Sequence, residues 1–415
     1  MMWWENEFLR VENNRLVLGR RRAEALAKAF GTPLFVYGAD RVRTNGRRLG
    51  LAFARATELE TRLAFAMKAN AHPVILALIL EEGGWVDAVS PGEVDRALRA
   101  GFPPGRVLFT GTSISEADFK ALLAIDGLTL TLDAVEQLDI LRAVRDRFFR
   151  RRPPVRVSIR WNPGRGCGFN PKVITAGARS VDGTPVKFGV EERRVLTAFR
   201  TARAYGFLPV GLHQHLGSGW VKADFPAVLE SVDRMIAKAR ELEGAGFGLE
   251  FLDFGGGFGP RYRREDALFP VEAYARAIGR KLRTAGLSTR AVIVEPGKSW
   301  LADAGVLLLR VEYLKRSYGQ TFVCVNGGTF NTIPRPAVYG QAWHEVVNAG
   351  RVSGRPRGRV TVAGHLCETG DVFGKDLLLP LPRPGDILAV LNAGAYGRSM
   401  ASNYNLRPIP DEIIV

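Results

Sequence analysis

The stretch LAFAMKANAHPVILALILEEGGWVDAVSPGEVDRALRA, residues 63–100, decides the fold of this chain. It opens on a short apolar run at 63–67 and reaches a second at 86–89. It then passes into SPGEVDRALRA, residues 90–100, which is amphipathic at helical spacing. A buried strand followed by a helix is the repeating unit of a parallel sheet, because parallel neighbours need a crossover between them. The alternation continues outward. Further strand-like runs lie at 107–109, 128–132, 155–161, 210–213, 249–254 and 292–295, with helical stretches such as 226–242 between them. Eight such strands predict a TIM-like (β/α)8 barrel over residues 36–304, near the roughly 250 residues that this fold takes.

After residue 305 the pattern changes. Strand-like runs at 306–313, 321–325, 359–363 and 387–391 are separated by Gly and Pro with few helical periods, which predicts a C-terminal β-rich domain over 305–415. Residues 1–35 carry a strand-turn-strand signal at 8–11 and 16–18 and are assigned to that second domain. The basic stretch RVSGRPRGR, 351–359, reads as a solvated surface turn.

Composition narrows the function. At 415 residues the chain exceeds one ordinary core, and 46% hydrophobic with 24% charged residues is the balance of a globular protein. The net charge of +16 comes from scattered arginines rather than one basic face, so no nucleic-acid footprint is read. The longest apolar run, 74–80, is far short of the about 20 residues a membrane span needs. The start of the chain lacks the basic flank and apolar core of a signal peptide, and a cytoplasmic protein is expected. Cys167, Cys324 and Cys367 form neither a CxxC pair nor a metal spacing, which suits a reducing compartment and predicts no metal.

In such a barrel the catalytic groups sit at the C-terminal strand ends. Strand one ends in Lys68, strand two in Asp87 and Ser90, strand six in His213, His215, Gly217 and Ser218. Strand seven ends in Asp253 and the run Gly255, Gly256, Gly257; strand eight ends in Glu295, Gly297 and Lys298. Taken alone, Lys68 reads as a snorkelling strand-end lysine, but desolvation at a barrel mouth would lower its pKa and make it nucleophilic towards an aldehyde. Three adjacent glycines let backbone N–H groups close on an anion, and a phosphate near strands seven and eight recurs in this fold. Glu295 could be half of an internal ion pair, or a carboxylate facing a ring nitrogen. His215 could be a core histidine, or an imidazole stacked on a flat ring.

Together these residues resemble the fold-type III pyridoxal-phosphate decarboxylases, whose barrel is alanine-racemase-like, and most closely the diaminopimelate decarboxylases. The motifs are FAMKAN at 65–70, VDAVSPGE at 86–93, LFTGT at 108–112, HQHLGSG at 213–219 and LDFGGGFG at 252–259. EPGKS at 295–299, RPAVYG at 335–340, CETGD at 367–371 and LNAGAYGRSMASNYN at 391–405 complete the set. The resemblance implies pyridoxal 5'-phosphate as cofactor, held by Lys68 as a Schiff base. Glu295 would keep the pyridine nitrogen protonated and His215 would stack on the ring. Gly255, Gly256, Gly257, Ser218 and Tyr396 would hold the phosphate, with Asp87, Gly297 and Lys298 also at the cofactor. Arg335, Tyr339, Glu368, Lys298 and Tyr396 would contact substrate, and Cys367 would return a proton to the α-carbon. It further implies a homodimer with shared active sites, the β-rich domain completing site and interface.

The substrate implied is a small amino acid bearing a distal carboxylate or amine: Arg335 offers a planar fork for the one and Glu368 a partner for the other, as meso-diaminopimelate would need on its way to L-lysine. Lys298 stands where the family carries arginine, Asn326 where it carries an acid, and one residue is inserted before RPAVYG. These departures leave open a sister decarboxylase acting on another carboxylated amino-acid derivative of siderophore, polyamine or antibiotic synthesis, a carrier-protein-tethered one included. An amino-acid racemase shares the domain plan but would need a tyrosine base opposite Lys68 and no CETGD. A non-enzymatic cofactor binder would resemble the barrel alone, against the β-rich region 305–415.

Overall fold

Short runs of buried residues become strands wherever both faces are covered. In the computed structural model, which describes residues 2–356 and 358–415, they form β1 (Glu60–Ala66), β2 (Trp85–Ala88), β3 (Val107–Gly111) and β4 (Thr129–Leu132). They continue with β5 (Arg156–Asn162), β6 (Leu208–His213), β7 (Phe251–Asp253) and β8 (Ala291–Val294). Met1 and Arg357, the latter within the basic stretch 351–359, lie outside the described residues. Each strand pairs in parallel with the next in chain order, and β8 pairs back onto β1. The ring is closed, so no barrel strand is left with an open edge. This is the (β/α)8 barrel expected from the strand count.

The intervening helices are α1 (Pro73–Glu81), α2 (Pro91–Arg99), α3 (Glu116–Leu123), α4 (Glu136–Phe148), α5 (Val195–Ala204), α6 (Phe225–Gly244) and α7 (Val271–Ala285). Their starts are chemically specified. Ser90 Oγ accepts the Glu93 amide at 3.2 Å ahead of Pro91, while Glu93 Oε2 accepts the Val89 amide at 2.8 Å. Ser115 and Asp118 form a reciprocal capping box at α3. Ala64, Leu108, Val210, Phe251, Ala291 and Ile293, drawn from five strands, pack into one buried cluster. Residues from so many strands of a ring can meet only inside it. That apolar filling leaves polar side chains at the strand ends.

The second unit is a mixed sheet ordered Val346–Asn348, Ile387–Val390, Gly305–Ser317, Gln320–Val325, Val360–Ala363 and Val372–Leu377. Leu34–Tyr37 pairs antiparallel with its strand Gly305–Ser317 and parallel with Asp411–Ile414. Its core joins Trp4, Phe8, Leu16, Leu26 and Leu34 to Val306, Leu308 and Leu391. The compact units are Gly46–Gly259 with Ala267–Gly297, and the remainder of the chain, including Pro260–Asp266. These bounds differ from 36 and 304, and at the first of them Leu34–Tyr37, a fully buried run, finds its ladder partners in the mixed sheet. Among the described residues no helix is long and apolar enough to cross a membrane.

Candidate active site

Each barrel strand delivers one or two polar side chains at its C-terminal end. Just beyond β1, Lys68 sits in a short 3-10 turn, with Nζ 3.3 Å from Oδ2 of the buried Asp87 on β2. The lysine side chain keeps 37% exposure, whereas that of Asp87 keeps 1%. The amine is therefore reachable at the barrel mouth while its counter-ion is not. Burial pushes the Asp87 carboxyl up, and the nearby Glu295 adds to the effect against Lys68.

Glu295 follows β8 and is 3% exposed. Its Oε1 lies 3.1 Å from Nε2 of His213, at the end of β6. Burial alone would raise its pKa, but His213 and Lys68 outweigh burial and bring it down to about 2. Asp253, at the end of β7, is driven the other way: burial and the neighbouring Glu295 hold its pKa well above the usual carboxylate range. The pair thus divides its charge unequally, the negative charge favoured on Glu295 and disfavoured on Asp253. His213, Asp253 and Glu295 bring their polar atoms within 4.8 Å of one another, and with Lys68 and Arg160 acting on Glu295 that cluster is accounted for by hydrogen bonding and charge.

The glycine run after β7 is shaped by what surrounds it. A Cβ on Gly256 would come within 2.0 Å of the Glu295 carbonyl oxygen, and one on Gly257 within 2.2 Å of the Trp220 ring. Gly255 and Gly257 adopt φ of +67° and +121°, which side chains resist. The run is stapled on both sides, by Glu295 N–H to Gly255 O at 2.9 Å and by Gly219 N–H to Gly257 O at 2.8 Å. Trp220, Phe258, Phe269 and Tyr274 back it as an aromatic cluster with Trp220–Phe258 centroids 5.6 Å apart. The Gly255 amide is taken by Asp253 Oδ1 at 2.9 Å. Those of Gly256 and Gly257 have no acceptor among the described residues. His215 and Ser218 follow β6 on the adjoining loop, and Gly297 is buried two residues after Glu295.

The strand-end rule also yields two residues that the sequence reading passed over. Arg160 on β5 is 9% exposed, lies 4.6 Å over the Phe188 ring, and faces Glu295, Asp133, Asp87 and Asp253. Asp133 follows β4, and burial raises its pKa. Listing the ends of β4 and β5 as well as the others would have found both.

The mixed-sheet unit carries its own polar constellation. Arg335 is 1% exposed at the start of the short helix Arg335–Tyr339. Its guanidinium lies 4.4 Å over the Tyr262 ring and its Nη1 donates to His344 Nε2 at 2.8 Å. His344 Nδ1 in turn donates to the Leu391 carbonyl at 2.8 Å. Burial and Arg335 press the His344 pKa down to about 3, so the imidazole is neutral and can accept from the arginine. No motif singled out His344 or Tyr262. Tyr339 is half-buried, and burial raises its pKa. Lys298 places Nζ 4.8 Å over the Tyr396 ring, and Tyr396 takes φ +57°. Cys367 and Glu368 are exposed: the Cys367 amide donates to Asn405 Oδ1 at 2.9 Å, and the Tyr404 hydroxyl donates to Glu368 at 2.7 Å. Asn326 is engaged by the fold, donating to Thr32 at 2.8 and 2.9 Å and accepting the Arg310 amide at 2.8 Å.

Comparison with known proteins agrees with this chemistry. Residues 44–302 match the family described as pyridoxal-dependent decarboxylase, pyridoxal binding domain. The chain is 38% identical to the diaminopimelate decarboxylase of Methanothermobacter thermautotrophicus, over 97% of this chain and 91% of that one. It superposes on a diaminopimelate decarboxylase of M. jannaschii in co-complex with L-lysine with a TM-score of 0.89, at 29% identity, covering 100% and 94% of the two chains. The Helicobacter pylori diaminopimelate decarboxylase complexed with L-lysine gives 0.85 at 32% identity, covering 94% and 93%.

Proposed function

The chain belongs to the pyridoxal-dependent decarboxylases and, within them, to the diaminopimelate decarboxylases, and from that premise we propose that it converts meso-diaminopimelate to L-lysine and carbon dioxide. One observation carries the reading: an accessible amine, an ionised buried carboxylate and a glycine run with free amides converge on the C-terminal ends of one barrel.

The residues present fit pyridoxal 5'-phosphate. Two unclaimed glycine amides suit a phosphate, and buried polar atoms with no protein partner, Asp87 Oδ1 and His213 Nδ1, line the same strand ends. Lys68 would hold the cofactor's aldehyde carbon. Gly255, Gly256, Gly257, Ser218 and Tyr396 would hold its phosphate, with Asp87, Gly297 and Lys298 beside it. When bound, the cofactor supplies the electron sink for the breaking carbon–carbon bond.

The chain's own groups do the rest. Glu295, kept ionised by His213 and Lys68, would accept the proton-bearing ring nitrogen and hold that proton in place. His215 would pack on the ring face and fix its plane. From the β-rich unit, Arg335 and Tyr339 are proposed to grip the distal carboxylate, Glu368 the distal ammonium, and Lys298 and Tyr396 to border the substrate. Cys367 is assigned the proton delivered to the α-carbon. We further assign a homodimer in which the Cys367–Glu368 segment of one copy serves the other, a reading supported by the exposure of both residues in the single chain. A cytoplasmic enzyme is proposed with it, in keeping with three free cysteines.

Two measurements test this. The purified protein should release carbon dioxide and L-lysine from meso-diaminopimelate, and absence of both would sink the substrate assignment. Borohydride reduction should fix the cofactor on Lys68, and a peptide map that puts the label elsewhere would refute that role.

A further inference from the structure

The segment between β5 and α5 is held against the loop that follows β6. Cys167 N–H and Thr175 N–H both donate to the Leu216 carbonyl at 3.2 Å, Phe169 N–H donates to Ser218 O at 3.1 Å, and Ile174 bridges Gly217 antiparallel. Gly217 takes φ +141°, and a Cβ there would lie 2.2 Å from the Cys167 carbonyl oxygen, so the contact leaves no room for any other residue. This clasp delivers one hydroxyl to the ring of His215. Thr175 Oγ1 lies 2.9 Å from His215 Nδ1 and 2.9 Å from the His215 carbonyl oxygen. The Gly217 amide donates to the same Nδ1 at 3.2 Å.

Counting protons on these atoms fixes the tautomer. An amide N–H can only donate, so a nitrogen that receives it presents a lone pair and cannot also carry a hydrogen there. The Gly217 amide thus fixes Nδ1 as an acceptor, and the Thr175 hydroxyl, with a single hydrogen, shares it between two acceptors 2.9 Å away, that Nδ1 and the His215 carbonyl oxygen. We propose that Thr175 is a positioning residue that, with the Gly217 amide, locks His215 as the neutral tautomer carrying its proton on Nε2, and so sets how the imidazole meets the cofactor.

The charged surroundings agree. Burial first, then Lys68 from the end of β1, Arg160 on β5 and His213 on β6, disfavour a positive His215, and Glu295 after β8 opposes them without prevailing. The second half of the proposal rests on the reading that His215 faces the cofactor. The first half does not.

The test compares cofactor-loaded native protein with Thr175→Val, which keeps the shape and loses the hydroxyl, and Thr175→Ser, which keeps it. Isotope-labelled histidine lets nitrogen NMR tell a protonated ring nitrogen from a bare one, and His215→Gln identifies the relevant pair of signals. The native chain and Thr175→Ser should show a bare Nδ1 and a protonated Nε2 near neutral pH. Thr175→Val should shift the Nδ1 signal and weaken cofactor affinity about five-fold, the net worth of one hydrogen bond, with serine restoring both. A protonated Nδ1 in the native chain would overturn the proposal, as would a valine variant identical to it in signals and affinity. If the signals move and the affinity does not, the tautomer assignment stands and the placement of His215 on the cofactor fails.

Discussion

A carboxylate at the end of an apolar strand is costly to ionise, and Glu295 stays ionised only because His213 donates to it and Lys68 stands near. Glu295→Gln keeps the shape and the hydrogen bond and removes the charge. Its kcat should fall on the order of 10²-fold or more, as for loss of a proton-holding group, with the cofactor still bound and its absorption displaced; unchanged turnover would remove Glu295 from the mechanism. His344 makes a different prediction. It is neutral in the fold, with a pKa of about 3, against about 6.5 in the unfolded chain. A base whose pKa is depressed by folding stabilises above its unfolded value, and that stability drains away as pH falls towards the folded one. Between roughly pH 8 and pH 5 His344 should therefore cost the protein about 2 kcal/mol. Denaturant titrations should show His344→Gln, which can still accept from Arg335 and donate to Leu391, losing less stability over that range. Sequence reading reached Glu295 because a lone acid stands out after an apolar strand. It did not reach His344, whose neighbours Arg335 and Tyr262 lie nine and eighty-two positions away in the chain and are brought to it only by folding.

At the scale of elements, the barrel strands were legible because a strand buried on both faces must be an uninterrupted apolar run, and all eight such runs became strands. Pairing was less legible. Leu34–Tyr37 carries the same pattern and joins another sheet, and the strands Val346–Asn348 and Val372–Leu377 are too short or too polar to announce themselves. The loop CETGD was recognisable as a motif, but what shapes it was not. The buried Asp371 accepts from Thr329 Oγ1 at 2.8 Å and Leu366 N–H at 2.7 Å, and its own N–H donates to Glu368 O at 3.0 Å. Asp371→Asn turns one of those acceptor oxygens into a donor facing a donor. It should destabilise the loop by about 2 kcal/mol, read as faster proteolytic cleavage near residues 364–371. If Cys367 delivers the proton, kcat should drop while KM changes less. A loop as resistant to protease as the native one would show that Asp371 does not organise it.

For the whole molecule, the surface of a single chain carries features that a second copy would explain. Cys367 and Glu368 face solvent, yet each is pinned in place, by Asn405 and Tyr404. Next to those anchors Leu406 is 90% exposed with φ +55°, an apolar side chain held outward by a backbone conformation that leucine resists. Holding the Cys367–Glu368 segment rigid in open solvent has a cost and no return unless another surface meets it, which supports the proposed dimer. The proposed sharing of sites makes a quantitative prediction. Lys68→Ala and Cys367→Ala chains should each be inactive alone. Co-expressed, they assort at random, about half the dimers are hybrids, and each hybrid rebuilds one complete site from the intact Lys68 of one chain and the intact Cys367 of the other. Activity should therefore recover to roughly a quarter of the native level per chain, and sedimentation should show a dimer throughout. If Lys68 and Cys367 worked within one chain, every hybrid would hold two broken sites, and the mixture would stay as inactive as its parts.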